Sequence, residues 1–433
     1  MNILILGGGG REHALAWATL QNPKCDRLIV APGNAGIRAM AECADLPLND
    51  GPTIVQFAVE NAIDLVIVGP EAPLVAGVAD EVRAAGILCF GPSAAAAQLE
   101  ASKTFTKQVC DAAGAPTAAW ARFDTRDAAR AHLAQTGAPV VIKADGLAAG
   151  KGVVVAMTLA EARAAIDHMF GGAFGEAGAE VVIEEFMTGE EASFFVLCDG
   201  QTALPMGTAQ DHKRIGEGDT GPNTGGMGAY SPAPVLTPAL QAQVMDRIIH
   251  PTLAEMARRG MPYQGVLYAG LMIENGTARL VEYNARFGDP ECQALMLRLG
   301  AQAFDLIHAT ADGRLGDMRV DWADDHAMTV VLAAQGYPGG YAKGDVIGGL
   351  DALAEDSFHM MFHAGTLQTA DGITANGGRV LNATGRGATL AQARARAYAL
   401  ADAVDWPGGT FRRDIGWRAL DTEIAPAAHD LKN

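Results

Sequence analysis

The sequence predicts a multidomain α/β protein that begins with a doubly wound parallel sheet. A chain of 433 residues is too long for one hydrophobic core and suggests about two to four domains. Its composition, 49% hydrophobic and 19% charged, is typical of a folded globular protein. The first hundred residues alternate short apolar runs such as NILILG and IDLVIVG with helix-like stretches. Buried parallel strands joined by crossover helices have this pattern.

Charge and cysteine content argue against several classes of function. The net charge of −18 disfavours a broad nucleic-acid or anionic-membrane surface, so we expect neither partner. The six cysteines form no C-x-x-C pair, which indicates reduced thiols and not a disulfide frame or a zinc site. Met1 leads directly into an apolar strand, and no apolar run approaches the roughly 20 residues of a membrane-spanning helix. We therefore expect a cytoplasmic protein, and a monomer is compatible with the sequence.

The rest of the chain divides into further segments. An alanine-rich helix is predicted from about Ser93 to Gly114, and a compact segment with few long apolar elements then fits a small mobile lid. The stretch from Asp211 to Pro234 is dominated by Gly, Asp, Asn and Pro, and so long a loop in a compact protein is usually functional. We predict an N-terminal domain over 1–102, a central domain over 103–116 and 191–325, a lid over 117–190, a small C-terminal domain over 326–420 and a tail over 421–433.

The first glycine run, LILGGGGREHA, lies between a predicted strand and a helix, where backbone N–H groups and the helix dipole favour an anion. It does not fit a dinucleotide fingerprint, because the third glycine is replaced by Glu12. The second strand ends in IVAPGN, without the acidic residue that would hold a ribose. An NAD site is therefore disfavoured, while a phosphate of another substrate and an unliganded tight turn both stay open.

The second glycine run, KADGLAAGKGV, resembles a P-loop at first sight. A P-loop needs G-x-x-x-x-G-K-[ST], in which the hydroxyl ligates magnesium. Here only three residues separate Gly146 from Gly150, and Lys151 is followed by Gly152, which has no hydroxyl. The run is therefore a phosphate-binding candidate of another kind.

Two strand motifs carry the remaining polar chemistry. In LVEYNARFGDPE, Glu282 and Asn284 lie two residues apart and so share a strand face, with Arg286 next if the strand continues. A carboxylate, an amide oxygen and a guanidinium suit a magnesium–phosphate site, although an exposed polar strand has the same pattern. The stretch VVIEEFMTGEEASF fits a solvated acidic edge or a hinge between two lobes that binds adenine.

The order of these motifs is more specific than any one of them. The succession from Lys103 through Lys143 and Glu-Glu-Phe to Glu-x-Asn-x-Arg resembles the ATP-grasp superfamily, in which two lobes close on ATP. The resemblance covers essentially residues 1–420, and RFGDPE and GPNTGGMGAYSP are its most specific strings. Longer strings resemble the phosphoribosylamine–glycine ligase family: GGGGREHALAW, APGNAG, VGPEAPL, IKADGLAAGKGV, QDHKR, DTGPNTGGMGAYSPAP, NARFGDPE and NGGRVL.

The resemblance implies an ATP-grasp fold with a mobile α+β lid, a central antiparallel-sheet domain and a small C-terminal domain. It implies ATP-dependent ligation of glycine to 5-phosphoribosylamine, giving glycinamide ribonucleotide, ADP and phosphate through glycyl phosphate, in de novo purine biosynthesis. Mg²⁺ or Mn²⁺ would assist. The alternatives are another ATP-grasp activity, a nicotinamide oxidoreductase and a catalytically silent nucleotide-binding module. The two most specific strings argue against the first, and Glu12 argues against the second.

The resemblance also assigns residues to ATP and metal. Lys103 and Lys143 would contact the phosphates, and Glu282 and Asn284 would hold the metal. Glu184, with the backbone of Glu185 and Met187, would bind adenine. Phe186 would pack in the hinge and Glu191 would bind the ribose. The flexible loop over the phosphates would include Asp145, Gly146, Gly150, Lys151 and Gly152.

The remaining assignments concern catalysis and the other substrates. Arg286, Lys143 and Asp289 would be catalytic, and Asp289 with Glu291 would hold the glycine ammonium. One departure leaves the number of metal ions open, since the strand before Glu-x-Asn reads LYAGLM and its carboxylate, Glu274, comes only at the end. Phosphoribosylamine would lie among Gly9, Gly10, Arg11, Pro70, Glu71, Asp211, His212, Lys213, Gly225, Gly226, Met227, Gly228 and Arg379.

Overall fold

A computed structural model describes residues 1–147, 152–173 and 178–424. Within these ranges, no helix is both long enough and apolar enough to cross a membrane. The N-terminal elements are β1 (Asn2–Gly7), α1 (Gly10–Leu20), β2 (Arg27–Pro32), α2 (Ala35–Met40), β3 (Glu42–Cys43), α3 (Gly51–Glu60), β4 (Leu65–Val68), α4 (Glu71–Val75), α5 (Val78–Ala84), β5 (Leu88–Phe90) and α6 (Ala94–Ala101).

The first domain is the predicted doubly wound unit, with parallel strands in the order β3-β2-β1-β4-β5. Helices cover both faces, so the apolar run of β1 is fully buried. In the turn between β1 and α1, Gly7 adopts a φ of +125° and the Glu12 carboxylate accepts the Gly9 N–H at 2.7 Å. The Glu12 side chain therefore occupies a backbone donor of this turn, and it stands at the position where a dinucleotide fingerprint has glycine.

The next elements are α7 (Lys103–Ala113), β6 (Trp120–Phe123), α8 (Arg126–Thr136), β7 (Val140–Ala144), β8 (Val153–Ala156), α9 (Leu159–His168) and β9 (Val181–Glu185). The single helix predicted from Ser93 to Gly114 is wrong, because α6 and α7 are separate. Ser102 between them has extended backbone, and its hydroxyl accepts the Phe105 N–H at 3.0 Å. Serine is a strong N-cap and competes with helix continuation, so α7 begins anew at Lys103.

Residues of the predicted lid form an antiparallel sheet in the order β6-β9-β7-β8, packed against α8 and α9. This unit has a hydrophobic core of its own, which includes Ile142, Ile166 and Ile183. With its own sheet and its own core, the segment forms a small layer separate from the central sheet.

The central and C-terminal elements are β10 (Glu190–Asp199), β11 (Ala203–Asp211), β12 (Arg214–Gly216), β13 (Thr220–Asn223), β14 (Gly228–Ser231), α10 (Pro238–Val244), α11 (His250–Arg258), β15 (Gln264–Glu274), β16 (Thr277–Asn284), α12 (Glu291–Leu299), α13 (Gln302–Ala311), β17 (His326–Ala334), β18 (His359–His363), β19 (Thr366–Thr369), β20 (Gly372–Ala375), β21 (Arg379–Gly387), α14 (Leu390–Ala403), β22 (Gly409–Thr410) and α15 (Trp417–Ile424). A π-helical segment, Met245–Ile249, joins α10 to α11.

The central and C-terminal domains share one antiparallel sheet in the order β16-β15-β10-β11-β14-β17-β21-β18, so the sheet crosses the boundary predicted at 325/326. The prediction of a structureless loop from Asp211 to Pro234 is wrong at this point. The segment contains the hairpin β12–β13 and the strand β14, which joins β11 to β17. These strands have only three or four residues, too few to produce a periodic pattern. The predicted tail also begins too early, since α15 extends to Ile424.

The N-terminal and C-terminal domains meet through buried polar groups. His13 on α1 accepts the His363 N–H through Nδ1 at 2.8 Å. The Asn34 amide donates to the carbonyls of Gly8 and His363, at 3.0 and 2.8 Å. Burial lowers the pKa of His13 to about 3 and that of His363 to about 4. Both imidazoles are therefore neutral in the folded protein at neutral pH.

We expect the free energy of unfolding to decrease as the pH falls from about 6.5 towards 4. The unfolded chain protonates both histidines near pH 6.5, while the folded chain resists protonation until about pH 4 for His363 and about pH 3 for His13. Each histidine thus contributes stability above pH 6.5 that is lost on acidification, by up to about 1.4 kcal/mol per pH unit. Denaturant unfolding at several pH values measures the slope. The His13→Asn variant keeps an acceptor but cannot titrate, so an unchanged slope in it would contradict this assignment.

Candidate active site

A cleft of about 490 Å³ opens between the lid sheet, strands β15–β16 and the N-terminal domain. Most of the predicted site residues line it: Arg11, Pro70, Glu71, Lys103, Lys143, Gly152, Glu184, Glu185, Phe186, Met187, Glu191, Asp211, Lys213, Gly225, Glu282, Asn284, Arg286, Asp289, Glu291 and Arg379. The N-terminal domain, the lid, the central domain and the C-terminal domain all contribute to this wall, so motifs that are far apart in the sequence line one cleft. Gly150 and Lys151 lie outside the described residues. The other predicted residues within the described ranges are not part of the cleft wall: Gly9, Gly10, Asp145, Gly146, His212, Gly226, Met227 and Gly228.

Glu282 and Asn284 lie on β16, opposite Gly270 and Tyr268 of β15. Both side chains therefore project from the same face of the sheet into the cleft, as their spacing predicts. The strand ends at Asn284, so Arg286 does not continue the face, although it still lines the cleft.

Cations surround the Glu282 carboxylate. Burial acts to raise its pKa, but the charges of Lys213, Lys143 and Lys103 lower it below the usual range. Glu282 is therefore ionised, and it lies beside an amide oxygen. This donor pair suits Mg²⁺ or Mn²⁺, which bind few protein oxygens and keep water or phosphate ligands.

The donor set is small. Among the residues that the structure describes, no group of three or more His, Cys, Asp or Glu is arranged to hold a metal. The late carboxylate of β15, Glu274, accepts the Thr188 hydroxyl and is not part of the cleft wall. The donors that the strand motif predicts for a metal in this cleft are Glu282 and Asn284.

A buried chain of charges links the lid to the central domain. The Glu184 carboxylate is shared by Lys143 on β7 and Lys107 on α7, with N–O distances of 3.0 and 3.3 Å. Lys107 also donates to Thr117 Oγ1 at 2.8 Å. The second oxygen, Glu184 Oε1, is buried and has no hydrogen-bond partner. It is therefore an acceptor available to a ligand in the hinge.

Asp145 positions Lys103 instead of facing the cleft. Its carboxylate accepts the backbone N–H of Lys103 at 2.7 Å and caps the first turn of α7. The Lys103 ammonium donates to the Gly146 carbonyl, which ties the glycine run to the helix. Burial lowers the pKa of Lys103. The start of the glycine run is thus anchored on a lysine that lines the cleft.

The hinge and the adjacent strand ends carry further ion pairs. The Glu185 carboxylate forms an ion pair with the Arg279 guanidinium of β16 at 2.6 Å. Glu191 contacts Lys213 at 2.7 Å. Although burial lowers it, the charges of Glu191 and Asp211 raise the pKa of Lys213 well above its usual value. Burial raises the pKa of Asp211 to about 7, with Lys213 opposing the change.

Arg286 is held between two carboxylates from the N-terminal part of the chain. Its guanidinium lies 2.9 Å from Glu100 and 3.3 Å from Glu71. Glu71 also faces Arg11, and these two arginines lower its pKa against the opposing effect of burial. Arg11 and Arg286 both donate to the Phe287 carbonyl, at 3.1 and 3.2 Å, so both arginines are fixed just after the end of β16.

The RFGDPE segment supplies two more carboxylates. Glu291 accepts the Tyr268 hydroxyl at 2.8 Å, and a Cβ at Gly288 would collide with this carboxylate. Asp289 lies 3.6 Å from Arg379 of β21 and accepts from Gln293 at 2.9 Å. Arg379 therefore brings a cation of the C-terminal domain to the cleft wall beside Asp289.

His212 does not join its neighbours in the cleft. It alternates with Asp211 and Lys213 along the chain, and its Nε2 accepts the Gly416 N–H at 3.0 Å. Gly9 lies near Asp289, since a Cβ there would lie 3.4 Å from the Asp289 carboxylate. Neither residue is part of the cleft wall.

Sequence reasoning did not identify Glu100, Lys107 or Tyr268, all of which line the cleft. Lys107 is four residues after Lys103 in α7, so a helical spacing could have placed both on one face. Tyr268 shares the face of Gly270 on β15. Glu100 has no such signal, because its role depends on a contact with a residue 186 positions away.

Three family models match consecutive parts of the chain. They describe the N domain, the ATP-grasp (A) domain and the C domain of phosphoribosylglycinamide synthetase, at residues 1–100, 101–292 and 327–418. The chain belongs to the phosphoribosylglycinamide synthetase family. A phosphoribosylamine–glycine ligase from Brucella melitensis is 57% identical over 425 residues, which cover 98% of this chain and 100% of that protein.

Solved structures extend the comparison to the fold. A phosphoribosylamine–glycine ligase from Thermotoga maritima superimposes with a TM-score of 0.84 at 31% identity, covering 96% of this chain and 100% of that one. A biotin carboxylase from Campylobacter jejuni superimposes with a TM-score of 0.72 at 16% identity, covering 95% and 92%. The second likeness shows the fold alone. This member of the phosphoribosylglycinamide synthetase family thus has the ATP-grasp fold, which confirms the predicted fold class.

Proposed function

We propose that the chain catalyses ATP-dependent ligation of glycine to 5-phosphoribosylamine, with glycinamide ribonucleotide, ADP and phosphate as products. Family membership supports the activity. The observation that carries the proposal is that one cleft brings together the residues predicted for each substrate. They are Lys103 and Lys143, the pair Glu282 and Asn284, Arg286, and the carboxylates Asp289 and Glu291. The six cysteines are free, as in a reducing compartment, so we place the activity in the cytoplasm.

We assign the nucleotide to the side of the cleft between the lid and β16. Lys103 and Lys143 supply positive charge for its phosphates, and the hinge supplies backbone groups near Phe186 and Met187. The free Oε1 of Glu184 suits an amino group such as that of adenine. We assign the ribose hydroxyls to Glu191, which lines the cleft at the start of β10.

We assign the divalent ion to Glu282 and Asn284. When bound, Mg²⁺ or Mn²⁺ neutralises phosphate charge and holds the transferring group in place. The lysines around Glu282 keep that carboxylate ionised, so it is ready to act as a ligand. Lys213 belongs to this charged environment, and we place it on the side of the cleft that takes glycine and phosphoribosylamine.

The first chemical step joins two anions. The glycine carboxylate attacks the γ-phosphorus, the bond to the ADP oxygen breaks, and glycyl phosphate forms. This reaction needs positioning and positive charge more than a strong base. Arg286 and Lys143 both line the cleft and supply that charge. Asp289 and Glu291 hold the glycine ammonium, because a small zwitterion needs a carboxylate partner.

In the second step the amine of phosphoribosylamine attacks the acyl carbon, phosphate leaves and the amide forms. We assign this substrate to the region between the N-terminal and C-terminal domains, where Arg11, Glu71 and Arg379 line the cleft. Asp211 and Lys213 approach the same region from β11. A polar substrate with one phosphate suits this mixture of arginines and carboxylates.

ADP release from the full chain, with each component omitted in turn, tests the proposal. We expect release only when Mg²⁺, glycine and phosphoribosylamine are all present, with radiolabelled glycine entering the ribotide. Another ATP-grasp activity would release ADP with a different acceptor, and a silent module would release none. Release that does not depend on glycine would contradict the proposal.

A further inference from the structure

Glu100 is a cleft residue that no sequence motif singled out. It lies at the end of α6, directly before the break at Ser102, and its side chain is 8% exposed. One oxygen accepts the backbone N–H of Ala285 at 2.7 Å. The other lies 2.9 Å from the guanidinium of Arg286. One carboxylate therefore holds both the strand end after Asn284 and the cation that follows it.

Glu71 holds the same guanidinium differently. It contacts the Nε edge of Arg286 at 3.3 Å, it comes from the N-terminal domain, and its side chain is 27% exposed. Glu71 makes no second contact to the strand end among the described hydrogen bonds. A more exposed contact that depends on one pair of atoms is easier to exchange for another anion than a buried contact at two points.

We infer that Glu100 is a positioning residue that fixes Arg286 on the cleft wall, while Glu71 is the exchangeable partner that a substrate anion replaces. This inference rests on the proposed function, since it concerns the cation assigned to phosphoryl transfer. A guanidinium offers five N–H donors in a planar fork, so Arg286 can keep Glu100 on Nη2 and the Phe287 carbonyl on Nη1 while an oxyanion takes the place of Glu71 at Nε. Catalysis then needs no reorganisation of Arg286 at the moment of transfer.

Alternative roles for Glu100 would have different effects on stability, substrate affinity and turnover when the residue is replaced. A purely structural residue would stabilise the α6–β16 contact whether or not Arg286 is present. A substrate-binding residue would alter the affinity for glycine or ATP. A positioning residue acts through Arg286 alone, so its effect should disappear when Arg286 is removed.

The Glu100→Gln variant tests the inference in two backgrounds. It keeps the shape and an acceptor for the Ala285 N–H but removes the charge that faces Arg286. In the wild-type background we expect kcat to fall about ten-fold with the KM for ATP within about three-fold. In an Arg286→Ala background we expect the same change to alter kcat by less than about two-fold. The Glu60→Gln variant, on the exposed end of α3, is the matched control and should leave kcat unchanged.

Two kinetic outcomes would overturn the inference: an unchanged kcat in Glu100→Gln, or an equal loss in both backgrounds. If Glu100→Gln does not fold, Glu100→Asp is measured by the same criterion, since it keeps the charge but is too short for both contacts.

A crystal structure of the Glu100 variant without ligands gives a readout that does not depend on the reaction. We expect the Arg286 guanidinium to leave its wild-type position, and an unmoved guanidinium would overturn the inference. If wild-type protein forms no product with glycine and phosphoribosylamine, the proposed function fails. The position of Arg286 in the variant still decides the role of Glu100.

Discussion

Replacing Arg286 with alanine should reduce turnover by about two orders of magnitude or more, while ATP affinity stays within a few-fold. The guanidinium lies on the cleft wall between Glu71 and Glu100, so it is held in place before substrate arrives. Charge placed where the transferring phosphoryl group develops its own acts mainly in the transition state. A hundred-fold loss corresponds to about 2.7 kcal/mol of lost transition-state stabilisation. Steady-state kinetics and nucleotide titration of the same preparation measure both quantities.

Removal of Arg286 also leaves Glu100 without its cation. Burial already raises the pKa of Glu100 against the effect of Arg286, so the variant should take up a proton there and lose some stability. Thermal unfolding separates this loss from the effect on turnover. Arg319→Ala is the matched control, because that arginine is exposed and forms an ion pair with Asp321 away from the cleft wall. Unchanged turnover in Arg286→Ala would remove Arg286 from the chemistry.

Replacing Glu282 with alanine should raise the half-saturating Mg²⁺ concentration by about ten-fold or more and lower turnover at fixed Mg²⁺. The metal is assigned to one carboxylate and one amide oxygen, so the variant loses the charged one of its two assigned protein ligands. The three lysines whose charges lower the pKa of Glu282 would also lose this anion, although Lys143 and Lys213 keep their ion pairs with Glu184 and Glu191. Mg²⁺ titrations of ADP release, with ATP held constant, measure the change.

Glu274→Ala provides the control for the metal assignment. Glu274 is the other carboxylate of the β15–β16 pair, but it contacts Thr188 beside the hinge. We expect its removal to leave the Mg²⁺ dependence unchanged. A Glu282 variant with wild-type metal dependence, or a Glu274 variant with a weakened one, would show that the ligands are assigned wrongly.

The fold could be predicted where the sequence pattern is local. Apolar runs bounded by glycine identified the parallel strands of the N-terminal domain, because burial on both faces imposes continuous hydrophobicity. The single helix predicted before Gly114 was wrong, since periodicity does not register one capping serine such as Ser102. The short strand β14 also escaped prediction, because its place between β11 and β17 depends on pairing with distant segments.

The site shows the same division between local and distant information. The i, i+2 spacing of Glu282 and Asn284 is a property of one strand, and both side chains do share a face. The ion pair that joins Glu184 to Lys143 links β9 to β7, and that of Arg286 with Glu100 links two domains. Such contacts depend on tertiary packing, so they cannot be predicted from the spacing of residues in the sequence. The roles of these residues stay predictions until the variants are measured.

The central claim is that the lid and the β15–β16 pair grip one nucleotide so that its terminal phosphate meets an amino-acid carboxylate beside a divalent ion. A crystal structure of the chain with a non-hydrolysable ATP analogue, Mg²⁺ and glycinamide ribonucleotide tests this most directly. We predict the triphosphate beside Lys103, Lys143 and Glu282, with the ribotide between Arg11 and Arg379. A triphosphate bound at the N-terminal four-glycine turn, with Lys143 of the lid facing solvent, would contradict the claim.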